Sequence, residues 1–283
     1  MKRIMMTCIA VCTMMTAFAQ QDTTGKKNPD QKTDTIRVGS MTIIRKASSE
    51  KKREITISNR KKTKPTNVKT NWCVVDLGFS NFEDNTNYSS TTAQQYAPGS
   101  NSNWFDLKYG KSVNVNIWFF IQRLNMIKHV VNLKYGLGFE LNNYRYKQPV
   151  RYEAKPPAVA NPPIVILDTM TPNRNYEKNK LAADYITVPM MINFNFTPNR
   201  KDGFGLSAGI SAGYLYSARN KTITSDEGKK KAIDDFDLER WKLSYIGELS
   251  LGPVILYGSL ATRSMYQHGF DMTPYNIGIR FSN

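Results

Sequence analysis

Between Val131 and Leu141 every second residue is apolar (Val131, Leu133, Tyr135, Leu137, Phe139, Leu141). Between and after them come Asn132, Lys134, Gly136, Gly138, Glu140 and Asn142. A period of two describes a β-strand whose two faces meet different surroundings. The pattern recurs along the chain. Ahead of it, NWCVVDLGFSNF sets Cys73, Val75, Leu77 and Phe79 against Asp76, Gly78 and Ser80. A strand from Trp104 to Gln122 sets Leu107, Tyr109, Val113, Val115, Ile117, Phe119 and Ile121 against Lys108, Gly110, Ser112, Asn114, Asn116 and Gln122, with Trp118 and Phe120 interrupting the polar side. Further on, DYITVPMMINFNF and FGLSAGISAGYLYS alternate in the same way. So do the stretch from Trp241 to Leu251, a weaker one from Val254 to Arg263, and YNIGIRF at the end. Eight strands are expected.

A two-sheet sandwich in water also alternates, so the direction of the apolar face decides the architecture. The polar faces consist of Gly, Ser, Asn and charges of both signs, which suit a crowded polar interior. Many of the strands exceed the ~9–11 residues that cross a bilayer. A closed barrel turned apolar side out satisfies every backbone group without water, which an open sheet in a membrane does not. Trp72, Phe82, Trp104, Tyr144, Trp241 and Tyr266 near strand ends are expected to form aromatic girdles. Four longer polar connections (81–103, 147–183, 218–237 and 267–273) alternate with short ones at Asn125–Lys128, Pro198–Gly203 and Gly252-Pro253. In outer-membrane barrels the short turns face the periplasm, so both chain ends are expected there.

The first residues, MKRIMMTCIAVCTMMTAFAQ, have a basic start, an apolar run and an Ala17-Phe18-Ala19 cleavage site. They read as a signal peptide rather than a membrane anchor, the run being too short to span ~30 Å as a helix. Cys8 and Cys12 would leave with it, and Cys73 alone can form neither an internal disulfide nor a cysteine-pair metal site. The net charge is +16, and residues 21–70 hold fourteen Lys/Arg against five Asp/Glu. In an exported chain such an arm points to anionic head groups, anionic polymer or an acidic protein; nucleic acid is not an expected partner. The expected fold is therefore all-β. It is an eight-stranded antiparallel transmembrane β-barrel over residues 71–283, behind a signal peptide (1–19) and a mostly irregular basic arm (20–70).

Charges on the polar faces come next. Asp76, Glu140 and Glu248 stand against Lys108, Lys134, Lys242, Arg263 and Arg280. Eight strands enclose a lumen just wide enough for its own side chains, and buried charges must pair. These residues are expected to form a salt-bridge network filling the barrel, with Glu140 and Glu248 within reach of Lys134, Lys242 or Arg280. The alternative is an anion-selective pore or a ligand pocket. His268 lies three residues before Asp271 with Ser264 nearby, which admits a barrel enzyme at the rim, but no motif fixes a nucleophile there. No catalytic residue, cofactor or metal site is expected.

Tyr185-Ile186-Thr187-Val188-Pro189, FGLSAGISAGYLYS and PYNIGIRF resemble the small outer-membrane β-barrel domain family that includes the PorT-like proteins, over roughly residues 71–283. DTIRVGSMTIIRK resembles the arm often found ahead of such barrels, and Phe281 the aromatic end of a barrel-assembly signal. The resemblance implies a non-enzymatic integral outer-membrane protein, PorT-like members being associated with a protein-secretion machinery, and it supplies no catalytic residue. The expected partners are outer-membrane lipid around the barrel and a periplasmic or envelope protein at the arm. A narrow channel or small-ligand carrier is the second expectation, a barrel enzyme the third.

Overall fold

The computed structural model describes residues 33–38, 41–46, 55–59, 66–154, 163–168, 174–198 and 203–281. The signal peptide and its cleavage site lie outside them. The chain divides into two units, Met1–Lys64 and Pro65–Asn283. In the first, β1 (Thr33–Val38), β2 (Met41–Lys46) and β3 (Ile55–Asn59) form an antiparallel sheet in chain order. These strands fall on the alternating pieces TIRVGSMTIIRK and REITISN of the arm.

In the second unit, eight strands form a ring. They are β4 (Val68–Asp84), β5 (Val113–Ile127), β6 (Val131–Arg145), β9 (Tyr176–Asn195), β10 (Phe204–Thr224), β12 (Trp241–Leu251), β13 (Val254–Ala261) and β14 (Met272–Phe281). Each pairs antiparallel with its neighbours, β10 with both β9 and β12, and β14 closes on β4. A ring leaves no edge, so every strand's backbone is satisfied on both sides. Leu77, Phe79, Val188, Met190, Leu206, Ile210, Leu249 and Ile277 point outward and are exposed. Asp76, Asn114, Asn142, Ser207, Ser244 and Asn276 point inward and are buried. At the closing seam Gly78 faces Gly278, and a Cβ on either would stand 2.4 Å from a backbone oxygen of the other strand. The Tyr257 ring covers both glycines.

The short turns follow local chemistry. Lys128 and His129 both have positive φ, and the Val130 N–H donates to the Ile127 carbonyl at 2.9 Å. That is a two-residue primed turn, whose twist suits a hairpin, and it overlaps the end of the Asn125–Lys128 segment expected from sequence. Gly252, at φ 74, opens the β12–β13 turn ahead of Pro253.

Three expectations need correction. The second barrel strand begins at Val113 rather than Trp104, because residues 102–105 and 109–111 form 3-10 turns. Within β5 the register shifts between Trp118 and Phe120. Such a bulge reverses the faces beyond it, so Ile121 is buried, not outward. Of the expected girdle, Trp72 and Trp241 are exposed on the wall, whereas Tyr144 and Tyr266 are buried and Phe82 and Trp104 pack against the same core.

That core is the part of the fold that alternation does not announce. The long connections contribute α1 (Thr91–Tyr96), the hairpin of β7 (Val150–Tyr152) with β8 (Val165–Leu167), and β11 (Gly228–Ile233), which lengthens the sheet beside β10. β9 starts at Tyr176, well before Asp184 where alternation places it, and β10 runs on to Thr224. Tyr96, Phe105, Tyr152, Phe236, Leu238 and Phe270 from these connections join one buried cluster with Tyr144, Tyr185 and Leu215 from the strand ends. Ring centroids of Phe105 and Phe270 lie 4.7 Å apart, and those of Tyr96 and Phe270 4.8 Å. The tyrosine hydroxyls are satisfied in a chain, Tyr146 to Tyr152 at 2.7 Å and Tyr152 to Tyr266 at 2.6 Å. The loops are thus a folded cap over the long-loop end of the lumen.

Candidate functional site

Six of the eight charges singled out in the sequence meet inside the barrel: Asp76 on β4, Lys134 and Glu140 on β6, Lys242 and Glu248 on β12, and Arg280 on β14. Lys134 pairs with Glu248, and Lys242 with Glu140. Arg280 forks between two carboxylates, reaching Glu248 at 2.7 Å and Asp76 through Nε and through Nη2 at 2.7 Å. All six side chains are buried or nearly so. Three negative and three positive charges make the network neutral.

Its geometry follows from a repeated spacing. Lys134 and Glu140 are six residues apart on β6, as are Lys242 and Glu248 on β12. Six is even, so each pair shares the inward face. β6 and β12 are not neighbours in the ring; β9 and β10 lie between them on the shorter way round. The two strands run in opposite senses, so the reciprocal pairs form two struts across the lumen.

Neutral donors complete the valences that the cations leave. Asp76 accepts from Trp118 Nε1 at 2.7 Å and from Asn116 Nδ2 at 3.2 Å. Glu140 accepts from Asn142 and Asn276 at 3.1 Å each, and from Thr187 at 3.4 Å. Isolated buried charges would cost several kcal/mol each; pairing and hydrogen bonding remove most of that cost. A space of about 40 Å3 remains among these groups, room for about one water on the liquid scale. Toward the short turns the lumen widens into a vestibule of about 100 Å3, lined by Lys69, Arg123, Lys134, Asn193, Asn195 and Ser250.

Two of the expected members are elsewhere. Lys108 lies in the first long connection, ahead of β5, because the strand it was assigned to starts later. Arg263 follows the end of β13 and is exposed. Trp118 is the member that alternation did not supply; an aromatic interrupting a polar face next to a bulge was its signal. At the rim, His268 Nδ1 lies 3.1 Å from Asp237 rather than against Asp271. The Ser264 hydroxyl donates to the Phe270 carbonyl at 3.0 Å and accepts from the backbone of Tyr266 and Met272. Among the described residues no group of His, Cys, Asp and Glu could hold a metal ion.

A family model described as outer membrane protein beta-barrel domain matches residues 73–269. The chain belongs to that family. No curated protein and no solved structure matches it. Membership sets the surroundings of the barrel: the exposed apolar wall of this outer-membrane protein faces lipid, and its six lumenal charges lie at bilayer depth. The exposed rings of Tyr214 and Trp241, 5.0 Å apart, mark one end of the wall, and Trp72, Phe196 and Phe281 the other.

Proposed function

We propose that this protein is a non-enzymatic outer-membrane anchor whose lumen does not conduct. Both chain ends lie in the periplasm, where the basic arm meets an acidic protein of the envelope, as in the PorT-like branch that serves protein secretion. One observation carries the reading. Two ion-pair struts cross the lumen, and an aromatic cap covers the end beyond them, so the barrel is built as a solid body. The engagement of the Ser264 hydroxyl by the backbone of Phe270, Tyr266 and Met272 argues against that serine as a nucleophile at the rim.

Two measurements test it. The purified barrel in a planar bilayer is expected to show no steady single-channel conductance. Deleting residues 21–64, which ends before β4, is expected to leave the barrel inserted and to reduce co-purification of envelope proteins from gently solubilised membranes. Raised salt mimics the deletion, because exposed charge contacts are screened beyond about 8–10 Å. The vestibule with Lys69, Arg123 and Lys134 at its wall favours a second reading, a carrier or narrow pore for a small anion. Steady conductance that disappears in Lys134→Gln would establish it in place of the anchor.

A further inference from the structure

Beyond the apolar band, the outer face of the sheet carries a row of like charges. Lys231, Lys221, Lys180 and Arg145 stand directly opposite one another across β11, β10, β9 and β6. Lys178 and Lys229 flank Ile223 in one adjacent register position, and Arg219 lies in the other. The alternate residues of these strand ends, Asn179, Asn220 and Thr222, are buried toward the cap, so the row lies on the opposite, outer side. Like charges directly opposed across strands repel. The chain offsets them only in part: Asp184, the nearby carboxylate, pairs with Arg219, Arg145 and Lys180 donate to the Glu177 carbonyl and to Asn143, and among the described residues no member of the row forms a salt bridge. Lys178 and Arg219 stand in the adjacent register positions and add to the positive charge around Lys180. Arg145 Nε is buried without a hydrogen-bond partner among the described residues.

The wall beneath the row is apolar and aromatic. Ile186 and Tyr216 are exposed, and the Phe139 ring lies 5.3 Å from that of Tyr216. From Phe139 to Arg145, and from Ile186 to Lys180, the strands rise about 20 Å, past Leu141, Asn143, Ala182 and the Asp184–Arg219 pair, a span that long basic side chains shorten by reaching back toward the interface. Cations above a greasy strip, at the level where the wall leaves the bilayer, match an amphiphile with an anionic head. An acidic protein would have no use for the strip.

We propose that the outer face of β6, β9, β10 and β11 binds a phosphorylated lipid of the leaflet on the long-loop side, with phosphate on the Arg145–Lys180–Lys221–Lys231 row and acyl chains on Phe139, Ile186 and Tyr216. The proposal rests on the barrel being embedded and not on a closed lumen, so conductance results leave it untouched.

Native mass spectrometry of the full mature protein, released from mild detergent with dimyristoyl phosphatidic acid or dimyristoyl phosphatidylcholine, tests it. The wild type is expected to retain phosphatidic acid roughly tenfold or more over phosphatidylcholine. Lys180→Gln/Lys221→Gln/Lys231→Gln is expected to abolish that preference, bringing the two lipids to near-equal retention. Arg263→Gln, an exposed cation that follows β13 on another part of the ring, leaves it unchanged. Neutralising the row relieves repulsion, so the triple variant keeps its folded migration on gels. Equal retention of the two lipids, an unaltered preference in the triple variant, or displacement of phosphatidic acid by equimolar inorganic phosphate would each overturn the proposal, the last by showing a simple anion site.

Discussion

Replacing Lys242 with Met isolates the energetics of one strut. The change keeps most of the side-chain length but leaves Glu140 charged in the lumen, held only by Asn142, Asn276 and Thr187. It also removes the ammonium from the Tyr185 ring, whose centroid is 5.4 Å away. Breaking a buried pair from one side costs about 3–5 kcal/mol. The three remaining donors put this case at the low end, near 3 kcal/mol, which is a little over two decades in the unfolding equilibrium at ~1.4 kcal/mol per decade. Adding Glu140→Gln removes the stranded charge and should recover about 2 kcal/mol. Urea unfolding of the barrel in lipid vesicles, followed by tryptophan fluorescence, reads both values. Neither should depend on ionic strength, because buried pairs are screened far less than exposed ones. A single-variant cost below about 1 kcal/mol, or a double variant as unstable as the sum of its parts, would mean that the strut carries no buried charge coupling.

Two further outcomes are expected. Trp118→Phe keeps the ring but removes the donor to Asp76, and should cost about 1.5–3 kcal/mol, as for hydrogen bonds to charged groups, while leaving membrane insertion intact by flotation. Mass spectrometry of the membrane form should find cleavage after Ala19, with heat-modifiable migration of the mature chain; retention of residues 1–19 or solubility without detergent would contradict the sequence reading.

How much of the molecule is legible in the sequence depends on how each part encodes itself. The wall is written in period two, so Leu133 to Leu141 and Ile186 to Phe194 announce their faces through residue order alone. Lumenal charges follow from the same parity, which singles out Lys134, Glu140, Lys242 and Glu248 but does not say which of them pair across the ring. Parity fails at the insertion near Phe119, and Ile121 changes face for that reason. Lys108 misleads because apolar Leu107 and Tyr109 extend the alternation into residues that turn as 3-10 segments. The cap leaves no signal because its core is assembled from single aromatics, Tyr96, Phe105, Phe236 and Phe270, scattered through connections with no period to betray a shared face.

The struts also bear on the order of events during assembly. Their partners are separated by 114 and 102 residues in sequence, and neither pair can meet until the sheet has curled enough to bring β6 opposite β12. Hairpins such as β5–β6 form from local contacts, but the crossing pairs must wait for near-complete closure. Contacts made that late are absent from the folding transition state, so they change the rate of unfolding and barely touch the rate of folding. The lumenal charges therefore act as a latch, fastened last, and their weight should be felt in how long the closed barrel persists rather than in how quickly it forms.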